Sequence, residues 1–531
     1  MIARSTMGLA GLIALVSTAC IGLAEATVVT YPGPSGITPA ADRQVTADGK
    51  SVFVYETAVN FNRVYSLTPT LEKTPVAYFD FSGSAAVTVT APGVTIASAL
   101  IRPASYGVQP VINGNSVTFT LTKPGRLTLE LNGDIHRALH LFADSIEANP
   151  AHNGDANVRY FGPGVYDAGE MTLNSGQTIY IAGGAVVYGA IRGGGINNAT
   201  VRGRGILSGT KIPRNVGWQN LINISSGSSN VNVNGIILFD SPTWNFNIRQ
   251  TNGMHVDDVK IIGARPNSDG IDLVGCSNST IKGCFVRAWD DCLCVKSDNT
   301  GNSSGIAFSG CTIWTDLAQS MEIGYETRAD VMEGITFKDI DVIHAFHKPV
   351  MSIHAGDRAT MQNISWEDIR VEDARMNPTE QTDNLVIDLW VGTAVWTQDA
   401  EKGKIQNVHF KNINVLGGKV PRCRINGFDA NHRVTGVTID NLTILGKPVR
   451  TLADGGFLVN AFMDQPTFTY DIVGTIAKWN PAANQALPIL QMVPGSTSTI
   501  LYRRPADHPA MIYNASGRLA LPDARQRMRL P

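Results

Sequence analysis

Ile335-Thr336-Phe337-Lys338-Asp339-Ile340-Asp341-Val342 is followed, 29 residues on, by Ile364-Ser365-Trp366-Glu367-Asp368-Ile369-Arg370-Val371. Both octets alternate apolar and polar residues, turn at an Asp, and then resume with an apolar residue. Alternation of period two marks a half-buried strand, and its return at a fixed interval marks a solenoid. The same pattern extends in both directions, through 177–187, 199–207, 231–237, 254–262, 279–286 and 306–313 upstream, and 408–415 and 437–444 downstream. Copies lie roughly 20 to 40 residues apart, a solenoid spacing. Strand periodicity excludes helical repeats, and the Leu/Asn consensus of leucine-rich repeats is absent. The expected fold class is all-β: a right-handed parallel β-helix with one coil per repeat, apolar residues inside and Asn, Ser and Gly at the corners.

This solenoid is expected over residues 148–450, its first strand near Val158, with insertions at 374–384 and 391–404 as loops on one flank. Beyond Arg450 the repeat fades, and 451–531, including Pro466-Thr467-Phe468-Thr469-Tyr470, is expected to cap or wrap the coil. Residues 27–147 differ. Val52-Phe53-Val54-Tyr55, Ala86-Val87-Thr88-Val89-Thr90 and Ser116-Val117-Thr118-Phe119-Thr120-Leu121 alternate between Gly, Pro, Asn and Asp turns without helices, the pattern of a β-sandwich. Residues 1–26 combine Arg4, an apolar run from Met7 to Ile21 and Ala24-Glu25-Ala26. They read as a signal peptide cleaved near Ala26, which implies a secreted or periplasmic protein.

A chain of 531 residues has room for more than one domain. A net charge of −2 argues against a nucleic-acid partner, which calls for a basic stripe. No later segment is apolar enough to span a membrane, and the oligomeric state is not legible. After cleavage six cysteines remain, at 276, 284, 292, 294, 311 and 423. Cys292-Leu293-Cys294 lacks CxxC spacing, so structural pairing or core packing is favoured over metal binding.

Within the repeat lie Asn267-Ser268-Asp269-Gly270-Ile271-Asp272-Leu273 and Trp289-Asp290-Asp291-Cys292-Leu293-Cys294-Val295-Lys296-Ser297. Asp290 follows Asp269 by 21 residues, close to one coil, so Asp269, Asp290 and Asp291 should meet on one face. Crowded carboxylates repel, which pushes their pKa values apart, as acid/base hydrolysis of a glycosidic bond requires. The bland alternative is three Asx-type turn residues. Trp289 is either a sugar-stacking platform or a buried wedge. Lys296 either holds the carboxylates' ionisation apart or is a solvated charge. Glu322, Tyr325 and Glu326, one coil on, and His347, Lys348 and His354, in the next, are candidate substrate ligands. No cofactor or metal is expected.

These motifs resemble the Asn-Thr-Asp … Asp-Asp signature of glycoside hydrolase family 28, the polygalacturonases. The N-terminal sandwich and Met321-Glu322-Ile323-Gly324-Tyr325-Glu326-Thr327-Arg328, followed by 335–344, are closer to family 49, the dextranases and isopullulanases, which shares the fold and the acid trio. The resemblance implies that Asp290 protonates the leaving oxygen while Asp269 and Asp291 activate water, inverting the anomeric centre. It also shows departures. Ala318-Gln319-Ser320 stands where polygalacturonases have Gly-His-Gly, and Ser352-Ile353-His354 where they have Arg-Ile-Lys. Loss of that carboxylate clamp points to an α-linked neutral polysaccharide or oligosaccharide rather than pectin. The competing classes are a polygalacturonase-like pectin hydrolase, a calcium-dependent eliminase using the same acids, and a non-catalytic carbohydrate-binding β-helix. In the last of these the three acids would be scattered.

Overall fold

The computed structural model describes residues 27–214, 220–374, 385–418 and 422–471, together with the backbone of two short strands at 512–513 and 519–520. The expected signal peptide, most of the 374–384 insertion and most of the C-terminal tail lie outside the described residues. From Val158 to Thr469 the strands join in one 29-stranded, overwhelmingly parallel sheet that winds as a right-handed β-helix. A typical coil contributes three strands. Ile271–Val274, Ser277–Lys282 and Phe285–Ala288 are overlaid in parallel register by Leu293–Asp298, Ser303–Ser309 and Thr312–Thr315. The octets that announced the fold stack residue on residue, Ile335 on Ile364 and Phe337 on Trp366.

Alternation explains the interior. Phe308, Phe337, Trp366 and Phe410 point inward on successive coils and stack with centroids 4.6, 5.3 and 5.0 Å apart. Asn and Asp turn the corners because they tolerate the left-handed backbone region, as at Asn278, Asp339, Asn363, Asp368, Asn407 and Asn441. Corner amides bond between coils, Asn278 Nδ2 to Asn252 Oδ1 at 2.8 Å and Asn412 Nδ2 to Asp368 Oδ1 at 2.9 Å. All six described cysteines are free and buried, so core packing is the reading that holds. Coiling also continues past Arg450. Phe457–Val459 lies parallel to Cys423–Ile425, and Thr467–Thr469 lies parallel to Thr438–Asp440 rather than wrapping the coil. These strands are three residues long, too short to show period-two alternation in sequence.

Residues 27–145 form two sheets of six and five strands with a shared apolar core. The outer face of the six-stranded sheet contributes Tyr55, Val76, Tyr78 and Phe142 to a second core. That core is completed from the coil by Val186, Ile206, Ile237, Phe239, Phe285 and Trp314. The coil's third face is therefore covered on both sides, which is why Ile237-Leu238-Phe239 is continuously apolar rather than alternating. The acids sit at the corner between this covered face and the next one.

Candidate active site

Ile271 pairs with Leu293, so the coil places Asp269 beside Asp291, with Asp290 one residue earlier. The two turns touch backbone to backbone: the Gly270 N–H donates to the Asp291 carbonyl at 2.7 Å. A Cβ at position 270 would lie 2.3 Å from the Cys292 carbonyl oxygen, so this approach needs glycine. Carboxylate oxygens of Asp269, Asp290 and Asp291 lie within 4.8 Å of one another. The acids are gathered, not scattered.

Lys296 is 5% exposed, and its ammonium lies 3.0 Å from Asp269, 3.0 Å from Asp272 and 3.7 Å from Asp291. The solvated-charge reading of Lys296 therefore fails. It is the cation of a four-carboxylate cluster, and it also lies 4.3 Å from the ring centre of Trp244. One cation cannot neutralise four acids. Asp290, half-buried, is raised well above the usual carboxylate range by desolvation and by Asp269 and Asp291. Asp291 is pushed up to about 7, where burial and Asp269 outweigh the pull of Lys296. Asp272, fully buried, is also raised, chiefly by burial. The trio has the donor set for a hard cation, but the ammonium of Lys296 already stands beside two of its members.

The remaining candidates divide. Trp289 is fully buried and its indole N–H donates to the Asn62 carbonyl at 2.7 Å, so it is the wedge and not a platform. His354 is 1% exposed; its Nδ1 bonds Glu322 at 2.7 Å and its Nε2 bonds Asp388 at 2.8 Å. Burial disfavours its charge, but the two carboxylates outweigh this and raise its pKa to about 10, so it is a cation with both donors committed. A direct substrate contact by His354 is excluded by that pairing. Glu322 is fully buried and also takes the Ser352 hydroxyl. Tyr325 stacks on His354 at 4.3 Å, and with Glu326 it is half-buried. His347 and Lys348 lie on the same corner as the acids, after Gln319, whose backbone N–H donates to Asp291 Oδ1 at 3.2 Å.

Sequence reading passed over four residues. Asp272 stands in the quoted motif, and its register partners Cys294 and Glu322 extend the polar column. Asp388 receives two bonds from Arg424, at 2.7 and 2.6 Å, besides that of His354. Trp244 precedes the first motif by about one coil, a spacing that could have flagged it. Tyr65 comes from the sandwich, and no local signal points to it.

The model of glycosyl hydrolases family 28 matches residues 153–453. A probable polygalacturonase of Vitis vinifera is 31% identical over 72 residues, 13% of this chain and 15% of that protein. An exopolygalacturonase of Zea mays is 26% identical over 224 residues, 41% of this chain and 52% of that one. The matches thus span about half or less of these relatives. Among solved structures, Dex49A from Penicillium minioluteum superposes with a TM-score of 0.56 at 17% identity, over 83% of this chain and 96% of its own, a likeness of fold. With more than half its length matched by that model, the chain belongs to glycosyl hydrolases family 28.

Proposed function

We propose that this protein is a secreted hydrolase of α-glycosidic bonds in a neutral polysaccharide or oligosaccharide, acting by single displacement with inversion. Asp290 is the general acid, and Asp269 and Asp291 hold and activate the water. The observation that carries this reading is the gathering of three carboxyls within 4.8 Å, with Asp290 the most open of them and raised well above the usual carboxylate range by burial and its two neighbours. Oxygens within 4.8 Å are closer than the ~6.5–9.5 Å usual for inverting pairs. A water can still bond two such oxygens at about 2.8 Å each. The general spacing rule therefore does not decide the stereochemistry; inversion rests on the resemblance of the motifs.

Neutral specificity is supported by charge. Four carboxyl groups (Asp269, Asp272, Asp290 and Asp291) crowd the single cation Lys296, and His354 is already paired twice, with Glu322 and Asp388. A uronate would enter without a free cation from Ser352 or His354. The polygalacturonase relatives favour a second reading, in which another cation takes the uronate. Export rests on residues 1–26.

The test is a panel of dextran, pullulan, arabinan and polygalacturonate with product sizing and NMR of the released anomer. Turnover of a neutral glycan with an inverted product is expected. Efficient cleavage of polygalacturonate would replace the first reading with the second. Asp290→Asn should lose about 10²–10⁴-fold on natural substrates, and far less on one with an activated leaving group.

A further inference from the structure

The segment joining Val54–Val59 to Glu72–Ser82 belongs to the sandwich in sequence, yet it is tied to the coil beside the acids. Asn60 Nδ2 donates to the Ala264 carbonyl at 3.0 Å. The Asn62 carbonyl accepts the Trp289 indole N–H at 2.7 Å, and the Tyr65 hydroxyl donates to Asn267 Oδ1 at 3.0 Å. The Tyr65 ring also packs against Trp289, centroid to centroid 5.8 Å. Asn267 is two residues before Asp269, and Trp289 immediately precedes Asp290. One side chain of the sandwich thus touches both acid-bearing turns.

We propose that Tyr65 is a positioning residue that orients the Asp290 end of its turn, by holding Trp289 against the Asn267 end of the Asp269 turn. Asn267 has φ +59°, a left-handed conformation whose side chain is free to be gripped from outside the coil, and Arg214 Nη2 grips the same oxygen at 2.5 Å. Among the described residues, the carboxyl of Asp290 accepts one hydrogen bond, from the Asp291 N–H at 3.2 Å. It has no side-chain tether, so its place depends on the turn that Trp289 anchors. The coil alone sets Asp269 against Asp291 by backbone register; the Asp290 turn is steadied from the sandwich. A sandwich lying against the coil's third face is thereby part of the catalytic apparatus.

This inference rests on the proposed function of the trio, and the experiment separates the two. Asp290→Asn, Tyr65→Phe and Tyr65→Ala are compared by kcat, KM, pH–rate profile and thermal midpoint on the glycan turned over best. If Asp290→Asn stays active, the reading of the trio fails. With Asp290→Asn inactive, Tyr65→Phe should lose about 10-fold in kcat and Tyr65→Ala up to about 100-fold, the usual consequence of a displaced reacting group. KM and the midpoint of Tyr65→Phe should stay near wild type.

The groups facing Asp290 are Asp269, Asp291, Asp272 and Lys296. A looser Asp269 turn weakens the repulsion that keeps Asp290 protonated, so the alkaline limb should move to lower pH. Three outcomes overturn the proposal: wild-type kcat and pH profile in both variants, activity lost only in step with the midpoint, or a rise in KM alone. The second would make Tyr65 a fastener and the third a substrate contact. Should Tyr65→Ala not fold, Tyr65→Phe decides.

Discussion

Two buried charge clusters lie in this molecule, and they are built to opposite ends. At the seam between sandwich and coil, Arg102 pairs with Glu130 at 2.8 Å and Glu372 at 2.7 Å, while His344 bonds Glu130 at 2.6 Å and Asp373 at 2.8 Å. Basic and acidic side chains alternate there. Burial pushes Glu130 up, but His344 and Arg102 more than reverse it, bringing its pKa to about 2. At the acid corner, four carboxyls share Lys296, and Asp272, Asp290 and Asp291 are all raised. Desolvation is the leading influence at both places; His344 and Arg102 together reverse it at Glu130, whereas Arg102 does not reverse it at Glu372, nor Lys296 at the acid corner. A matched cluster fixes two domains together, and an under-matched one stores a proton.

The largest expected effect comes from removing the one cation of the under-matched cluster. Lys296→Met should raise Asp291 above about 7 and cost at least about 10²-fold in kcat. A base must be ionised, so the acidic limb of the pH–rate profile should move toward alkaline pH. An unmoved limb would break the contrast between the clusters. At the seam, Glu372→Gln removes one of two partners of a buried Arg102, a change that costs about 3–5 kcal/mol. Denaturant unfolding should show that loss, while kcat well below the midpoint stays unchanged. An altered pH–rate profile would mean the seam is not separate from the chemistry.

A smaller effect appears on titration. Glu130 ionises in the unfolded chain near 4.5 and in the folded one near 2, so its stabilisation is complete above about 4.5 and is lost as pH falls through 2. That difference is on the order of 3 kcal/mol. The stability gap between wild type and Glu130→Gln should therefore narrow steadily from pH 5 to pH 2. A gap that does not vary with pH would remove the matched-charge account of the seam.

The coil was legible because its information is local and periodic: Ile335 and Ile364 occupy equivalent places in strands that stack directly. The acid trio was legible for the same reason, since one coil's offset is a sequence distance. What was illegible is whatever crosses between domains. Trp289 is buried because Asn62, far away in sequence, covers it, and Tyr65 reaches Asn267 from the sandwich. His354 looked like a ligand because its partners Glu322 and Asp388 lie on the coils before and after it, and sequence shows neighbours along the chain better than across it. The double-sided burial of Ile237-Leu238-Phe239 was visible as an apolar run, but its cause was not.

The smallest expected effect concerns Asp272, and it tests how the four carboxyls divide the available charge. Asp272 is fully buried, and neither of its oxygens has an aligned hydrogen bond, although the Lys296 ammonium is 3.0 Å away. With Asp269 and Asp291 also beside that cation, burial wins at Asp272 and holds its proton well above the usual range. A protonated Asp and an Asn have nearly the same shape and the same net charge. Asp272→Asn should therefore keep kcat within a few-fold of wild type, where removal of a working base or acid costs about 10²–10⁴-fold. Its pH–rate profile should shift little, because the charge seen by Asp290 and Asp291 is unchanged. A loss as large as that of Asp290→Asn would show Asp272 to be ionised. The pairing with Lys296 would then be local and matched, as at the seam, and the under-matched cluster would shrink to the trio.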